Sequence, residues 1–241
     1  MDRPYLSLII PCYNEEHRLP STLEKVTAFL DIQPYSSELL VVNNASTDRT
    51  PEIIAEAAER VPYLHGLSEP HPGKGAAVRT GMLNAQGEFR FMADADLSMP
   101  IDQLNRFLPP DLTDFDLAIA SREAPGAVRY REPEIRHIGG RAVNLLIQLL
   151  ALPGLKDTQC GFKCFRDQTA ADLFNAQTLT GWSFDIEILY IARQRGYQIR
   201  EIPIPWYYRE ESKVSAIRDA VKMIMDILVI KRNAARGDYD F

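Results

Sequence analysis

Two carboxylates one residue apart, Asp94 and Asp96, close the apolar run in FRFMADADLSMP, residues 89–100. Read as an extended segment, an Asp-x-Asp triplet puts both side chains on one face, because strand side chains alternate with period two. Carboxylates so placed repel unless a cation lies between them. Hard divalent ions such as Mg2+ or Mn2+ take oxygen ligands and often complete their shell with phosphate. Such an ion can neutralise a diphosphate as it leaves. Ser98, two residues on, offers a further oxygen. The competing reading is a solvated turn; the position at a strand end, shared with other polar clusters, favours the metal.

The elements that must hold these residues alternate along the first half. Strand-like runs are LSLII (6–10), ELLVV (38–42), YLHGL (63–67), FRFMA (89–93) and DLAIA (116–120). Between them lie a helical spacing over 18–30, a helix opening at Thr50-Pro51, and another from Gly75 to Ala85. The alternation predicts an α/β fold with a mostly parallel sheet covered on both faces, whose ligand lies beyond the carboxyl ends of the strands. PCYNEE (11–16), NNASTD (43–48), DADLS (94–98) and SRE (121–123) each follow a strand, so four polar clusters converge on one edge.

The second half reads differently. Residues 136–152 and 215–232 form helices with wide apolar faces, leaving narrow polar stripes at His137, Arg141, Asn144 and Gln148, and at Arg218, Lys222 and Asp226. A thin polar stripe marks a helix buried on the core, in a dimer, or in a membrane interface. A helix over 184–196 and a strand over 199–204 lie between them. With no internal repeat or low-complexity linker, the expectation is one domain over residues 1–241.

The totals bound the function. Of 241 residues, 46% are hydrophobic and 25% charged, and the net charge is −6, which argues against a nucleic-acid binder but not against an anionic ligand, since a local cluster can oppose the global sign. Three cysteines, Cys12, Cys160 and Cys164, suit a reducing compartment and buried small side chains better than a disulfide framework or zinc site. The early first strand leaves no room for a signal peptide, and no apolar stretch reaches the ~18 residues of a transmembrane helix. The location expected is cytoplasmic, with any membrane contact peripheral.

LSLIIPCYNEE, VVNNASTDRT, GKGAAVRTGM, MADADLS, DTQCGFKCF, WSFDIEILYIA and ESK occur in the order found in family-2-type inverting glycosyltransferases of the GT-A fold. More narrowly, the chain resembles the dolichyl-phosphate β-glucosyltransferase group and other polyprenyl-phosphate glycosyltransferases, from about Leu6 to Lys213. The resemblance implies an enzyme that moves a hexose, glucose from UDP-glucose, to a polyprenyl phosphate with a divalent metal as cofactor. It implies a nucleotide-sugar-binding half over 1–125 and an acceptor-binding half over 126–241, at the inner face of a membrane. Pro11, Tyr13, Asn14 and Glu15 then line the nucleoside, with Asn43, Asn44, Lys74 and Asp94 on the nucleotide sugar. Asp94, Asp96 and Ser98 hold the metal, and Asp185 and Arg122 are catalytic. Arg141, Gln159, Ser212 and Lys213 meet the acceptor or its phosphates.

One departure stands out. The family usually has two aspartates and a glycine after the second strand, where this chain has Asn43, Asn44 and Ala45. An Asn44 carbonyl accepts from uracil N3–H while its amide donates to O4, which favours uridine over guanosine. The alternatives are a GDP-mannose-dependent mannosyltransferase, transfer to a soluble hydroxyl, or a nucleotide-binding module without turnover.

Other residues carry two readings each. PHPGKGAAVRTGM (70–82) is either a phosphate-holding helix start with Lys74 or an ordinary one, and its spacing is not that of a P-loop. Arg122 is an anion contact or a structural ion pair. Arg129, Arg131, Arg136 and Arg141 are a solvated face or a site for lipid phosphate. Asp185 and Glu187, two apart on a helix, do not share a face. Asp185 is the base if the acceptor is a hydroxyl, and a positioning group if it is a phosphate. Trp182 and Phe184 floor the sugar pocket or pack in the core.

Overall fold

Leucine-, isoleucine- and phenylalanine-rich runs become the strands that carry the site. In the computed structural model, which describes residues 3–131, 133–208 and 216–240, these are β1 (Leu6–Cys12), β2 (Ser37–Asn43), β3 (Leu64–Ser68), β4 (Phe89–Ala93) and β5 (Leu117–Ser121). A short strand β6 (Val128–Tyr130) follows, then β7 (Phe162–Arg166), β8 (Ile199–Pro203) and β9 (Pro205–Tyr207). The helices are α1 (Leu19–Asp31), α2 (Thr50–Arg60), α3 (Lys74–Asn84), α4 (Glu134–Leu150), α5 (Asp167–Ala176), α6 (Phe184–Gln194) and α7 (Ala216–Arg236).

Seven strands form one sheet in the order β3-β2-β1-β4-β7-β5-β8, and β6 pairs with β9 in a separate parallel ribbon. All pairs in the main sheet are parallel except those of β7, which runs antiparallel to β4 and β5. Both faces are covered. Leu8 and Ile10 of β1 point into one core with Phe91, Phe107 and Phe162, while Ile9 points into the other with Met92, Phe165 and Phe174. Near-continuous apolar strands are what a sheet buried on both sides requires.

The inserted strand β7 was not expected from the sequence, and its direction matters. Because it is antiparallel, with Ala93 opposite Phe162, its start lies beside the end of β4. Cys160 and Gly161 are thereby delivered to the edge where β1, β2, β4 and β5 terminate.

The wide apolar helices divide their faces. Ile147 of α4 and Ile227 and Ile230 of α7 are buried in the second core. Leu145, Leu149 and Leu150 of α4, and Met225, Leu228 and Val229 of α7, are exposed. One face therefore packs on the core, as one reading held, and the other is open. No helix among the described residues is long and apolar enough to cross a membrane.

Candidate active site

Loops at the carboxyl ends of β1, β2, β4 and β5, with the loop entering β7, line a cavity of about 550 Å³. Pro11, Tyr13 and Glu15 come from the first, Asn44 from the second, Asp94, Asp96 and Ser98 from the fourth, Arg122 from the fifth, and Gln159 from the loop before β7. Lys74 arrives from the start of α3. The convergence read from the sequence is thus a single concave surface.

Three of these loops hold non-glycine residues in the left-handed region: Asn14 (φ 53°), Ala45 (φ 52°) and Leu97 (φ 45°). Such conformations persist only where surroundings enforce them. Here the loops brace one another: Asn14 Oδ1 accepts from the Thr47 amide at 2.8 Å, and Asn43 Oδ1 from the Ser46 amide at 3.2 Å. Asn14 and Asn43 are therefore committed to loop structure.

Asp94 and Asp96 do not lie on an extended segment. The strand ends at Ala93, and the Leu97 amide donates back to the Asp94 carbonyl at 3.2 Å, making a turn. The Asp96 carboxylate accepts from the Ser98 amide at 2.8 Å. Ser98 is nearly buried and its carbonyl accepts from the Tyr207 amide, tying this turn to the β6–β9 ribbon. Both aspartates still border the cavity, brought there by the turn rather than by strand alternation.

Lys74 Nζ lies 2.6 Å from Asp94 Oδ1 and 5.2 Å from the centroid of the Trp182 ring. Burial works against its charge, yet Asp94 and Asp185 hold its pKa above the ordinary lysine value. The loop before it is locked from two sides. Asn44 is buried, donates from Nδ2 to the carbonyls of Glu69 (3.2 Å) and His71 (2.7 Å), and accepts the Gly73 amide at 2.8 Å. Both its N–H groups are spent on backbone, so a base edge would find no amide donor there. The expected reading of uracil O4 by Asn44 gives way to a positioning role.

On the other side Gly73 adopts φ +138°, and a Cβ there would sit 2.3 Å from the Thr180 carbonyl oxygen. Gly161 is as constrained: a Cβ would lie 2.0 Å from Asp94 Oδ2. The Asp94 carboxylate rests against bare backbone and the Lys74 ammonium.

Beneath this lies a buried ion pair. Lys163, the second residue of β7 and fully buried, donates to Asp185 Oδ1 at 2.5 Å and to the Cys160 carbonyl at 2.6 Å. Burial pushes the Asp185 carboxyl above its ordinary value, against the pull of Lys163 and Lys74. Asp185 is 3% exposed and is not among the cavity-lining residues. It lies behind the wall as an electrostatic partner of the two lysines.

Arg122 is fixed by Asp157, which accepts from Nε at 2.6 Å, from Nη2 at 2.9 Å and from the Arg122 amide at 3.0 Å. Burial opposes the charge of Asp157, and Arg122 nevertheless holds the carboxyl below the usual aspartate range. The Arg122 and Arg129 guanidiniums lie 5.6 and 5.7 Å from the centroid of Trp206, and Arg129 pairs with Glu123. Both open readings of Arg122 hold at once, since a structural ion pair orients a cation on the cavity wall.

Sequence reasoning missed Lys163, Asp157, Gly161 and Trp206. A lysine within the apolar FKCF run was the legible signal for the first, since a charge at a buried strand position needs a partner. Trp182 lies at the cavity and Phe184 in the core. Arg141 is exposed on α4 and does not line the cavity, and Ser212 and Lys213 lie outside the described residues. The three cysteines are free and buried, and burial pushes the Cys160 thiol up to about 12.

The donor set fits a hard divalent cation. Among the described residues no three His, Cys, Asp or Glu side chains gather into a full cage. That suits an ion held by one or two carboxylates that borrows its other ligands from phosphate. Asp94 and Asp96 supply hard oxygens, and the lysine on Asp94 shows that position already balancing positive charge.

Residues 7–174 match the sequence profile described as "Glycosyl transferase family 2". A dolichyl-phosphate beta-glucosyltransferase of Trichomonas vaginalis is 36% identical over 95% of this chain and 74% of its own length. The proteins of that name from Drosophila melanogaster (33%, 93% of this chain, 74% of the relative) and Homo sapiens (29%, 96% and 76%) are also similar. Among solved structures, mannosyl-3-phosphoglycerate synthase from Rubrobacter xylanophilus superposes with a TM-score of 0.70 over 97% of this chain and 75% of that one, at 17% identity. Glucosyl-3-phosphoglycerate synthase from Mycobacterium tuberculosis, in complex with Mn2+, UDP-glucose and phosphoglyceric acid, gives 0.69 over 94% and 79%, also at 17%. These two share the fold expected from the sequence, GT-A.

Proposed function

This chain belongs to glycosyl transferase family 2 and is a glycosyltransferase, and from that premise we propose that it moves glucose from UDP-glucose to the phosphate of a polyprenol with inversion. The observation that carries the reading is the meeting of Asp94, Asp96 and Lys74 on one cavity wall at the carboxyl edge of the sheet. Relatives at 29–36% identity over nearly the whole chain carry the name dolichyl-phosphate beta-glucosyltransferase, which supports glucose and a polyprenyl phosphate as the reactants.

The chain's residues divide the work. Tyr13, half exposed at the cavity, and Glu15 frame the nucleoside. Lys74 meets the diphosphate as its negative charge grows, and its near-buried position makes that charge count for more than it would in water. Asp94 and Asp96 would hold Mg2+ or Mn2+, with the Ser98 amide keeping Asp96 in place; an ion bound there would supply Lewis-acid charge to the leaving diphosphate. The acceptor oxygen attacks the anomeric carbon from the face opposite that diphosphate. A phosphate acceptor is already an anion and loses no proton, so Asp185 acts by orienting Lys163 and Lys74 rather than as a base. Arg122, held by Asp157, and Gln159 face the acceptor side.

The open apolar faces of α4 and α7, with Arg141 and Lys222 also exposed, support contact with an anionic membrane surface where a polyprenol resides. Ser212 and Lys213 belong to the same acceptor reading.

The test is transfer of radiolabelled glucose from UDP-glucose to detergent-solubilised polyprenyl phosphate, with GDP-mannose and a soluble phosphoglycerate as comparison substrates. The expected product is an acid-labile glucosyl lipid formed only with a divalent ion. Transfer to phosphoglycerate alone, or from GDP-mannose alone, would overturn the assignment.

A further inference from the structure

Glu187 is fully buried on α6, one residue beyond the neighbour of Asp185, and it takes no part in the cavity. Two residues of helix amount to ~200° of turn, so the two acids face opposite ways. Asp185 looks toward the lysines. Glu187 gathers four neutral donors: the Thr178 amide (3.1 Å to each oxygen), the Thr178 hydroxyl (2.5 Å), the Leu179 amide (2.8 Å) and the Tyr239 hydroxyl (2.6 Å). A buried carboxylate surrounded only by donors is an anchor for the segment that supplies them.

That segment, residues 177–180, presses on the loop that presents Lys74. The Ala76 amide donates to the Thr180 carbonyl at 3.1 Å, and Gln177 Nε2 bridges the carbonyls of Gly75 (3.0 Å) and Leu179 (2.6 Å). The approach is so close that a Cβ on Gly75 would stand 2.9 Å from the Leu179 and Thr180 carbonyl oxygens. Two residues past Thr180, Trp182 lies over the Lys74 ammonium.

Three contacts link residues 178–187 to α7 and the arm beyond it. The Ser183 hydroxyl donates to Asp226 at 2.6 Å, Asn233 Nδ2 donates to the Thr178 hydroxyl at 3.1 Å, and Tyr239 beyond the helix reaches Glu187. Met225, Leu228 and Val229 are exposed on that helix.

We propose that Glu187 is a positioning residue that fastens α7 and its C-terminal arm to the Lys74 loop, so that the seating of α7 sets the affinity for the donor diphosphate. The inference rests on reading Lys74 and Asp94 as the diphosphate site. It assigns to the buried network a duty beyond stability, because the segment it holds braces the loop that presents Lys74.

Both tryptophans of the chain line the cavity, so intrinsic fluorescence reports ligand binding directly. UDP titrations with Mn2+ on wild type, Tyr239→Phe and Glu187→Gln, paired with melting curves and with KM values for UDP-glucose and polyprenyl phosphate, test the proposal. Tyr239→Phe removes the hydroxyl's bond to Glu187 and the one it accepts from Asn233 and should weaken UDP binding by about three- to tenfold, leaving the acceptor KM unchanged. Glu187→Gln replaces an acceptor with a donor amid donors and should have the larger effect; if it does not fold, Tyr239→Phe alone decides. UDP affinity unchanged in Tyr239→Phe, or a donor effect matched by an equal acceptor effect, would overturn the inference while leaving the proposed function standing. A wild type that does not bind UDP would overturn both.

Discussion

Two ion pairs stand at the ends of β4 and β5, on either side of β7, and they are built for different duties. Lys74 and Asp94, at the end of β4, touch through one 2.6 Å contact, with 13% and 28% of their side chains exposed. Arg122 and Asp157, at the end of β5, are joined by two side-chain bonds and one backbone bond, with the Asp157 side chain 4% exposed. The first pair is open, singly bonded and beside a second carboxylate, so an incoming cation and diphosphate can each take one of its members. The second is closed and forked, the geometry that fixes a guanidinium in one orientation. The same pairing of charges thus serves exchange in one place and rigidity in the other.

Gly161→Ala should break the open pair most severely. Its Cβ would occupy space now filled by the Asp94 carboxylate, and a displacement of that order costs about 100-fold in turnover. Steady-state transfer rates, with a melting curve showing the fold intact, check this.

Asp157→Asn should break the closed pair instead. It removes the charge that balances Arg122 and should lower unfolding free energy by about 2–3 kcal/mol in urea titrations. The pH dependence has a defined sign. The Asp157 carboxyl has a folded pKa below its unfolded value of ~3.9, so its stabilisation is fully present above that pH and is lost as pH falls through the folded value. Wild type should therefore lose stability more steeply below about pH 4 than Asp157→Asn does.

Asn44→Asp sharpens the comparison by loosening the loop behind the open pair. A carboxylate there would face the Glu69 and His71 carbonyls with no proton to donate. The expected cost is about 1–2 kcal/mol of stability with a raised KM for donor and no change of nucleotide preference. A switch from UDP-glucose to GDP-mannose would instead restore the base-reading role expected from the sequence.

Much of this site was legible because its residues follow strand ends, and apolar strands bounded by polar clusters are a local signal. Asp94 and Arg122 could be placed on one edge before their contacts were known, whereas Lys74 carried two readings. What escaped depended on long-range partners. β7 is short and carries Lys163 as its second residue, which breaks the apolar pattern; only Asp185, 22 residues on, accounts for the charge. Asp157 and Glu187 read as ordinary acids until the fold surrounds them with donors. The Asp94–Asp96 pair was assigned to the right wall by strand alternation, although a turn with Leu97 at positive φ puts it there. For α4 and α7, periodicity marked wide apolar faces but held no information on which part of each face the core would cover.

The central claim is that the open pair at Asp94 receives a divalent ion together with a nucleoside diphosphate. Calorimetric titration of UDP into the purified chain, with Mn2+ and then with excess chelator, tests it most directly. The account predicts binding that weakens by about 100-fold or more without the ion, the counterpart of several kcal/mol of Lewis-acid charge. Equal affinity with and without metal would contradict it.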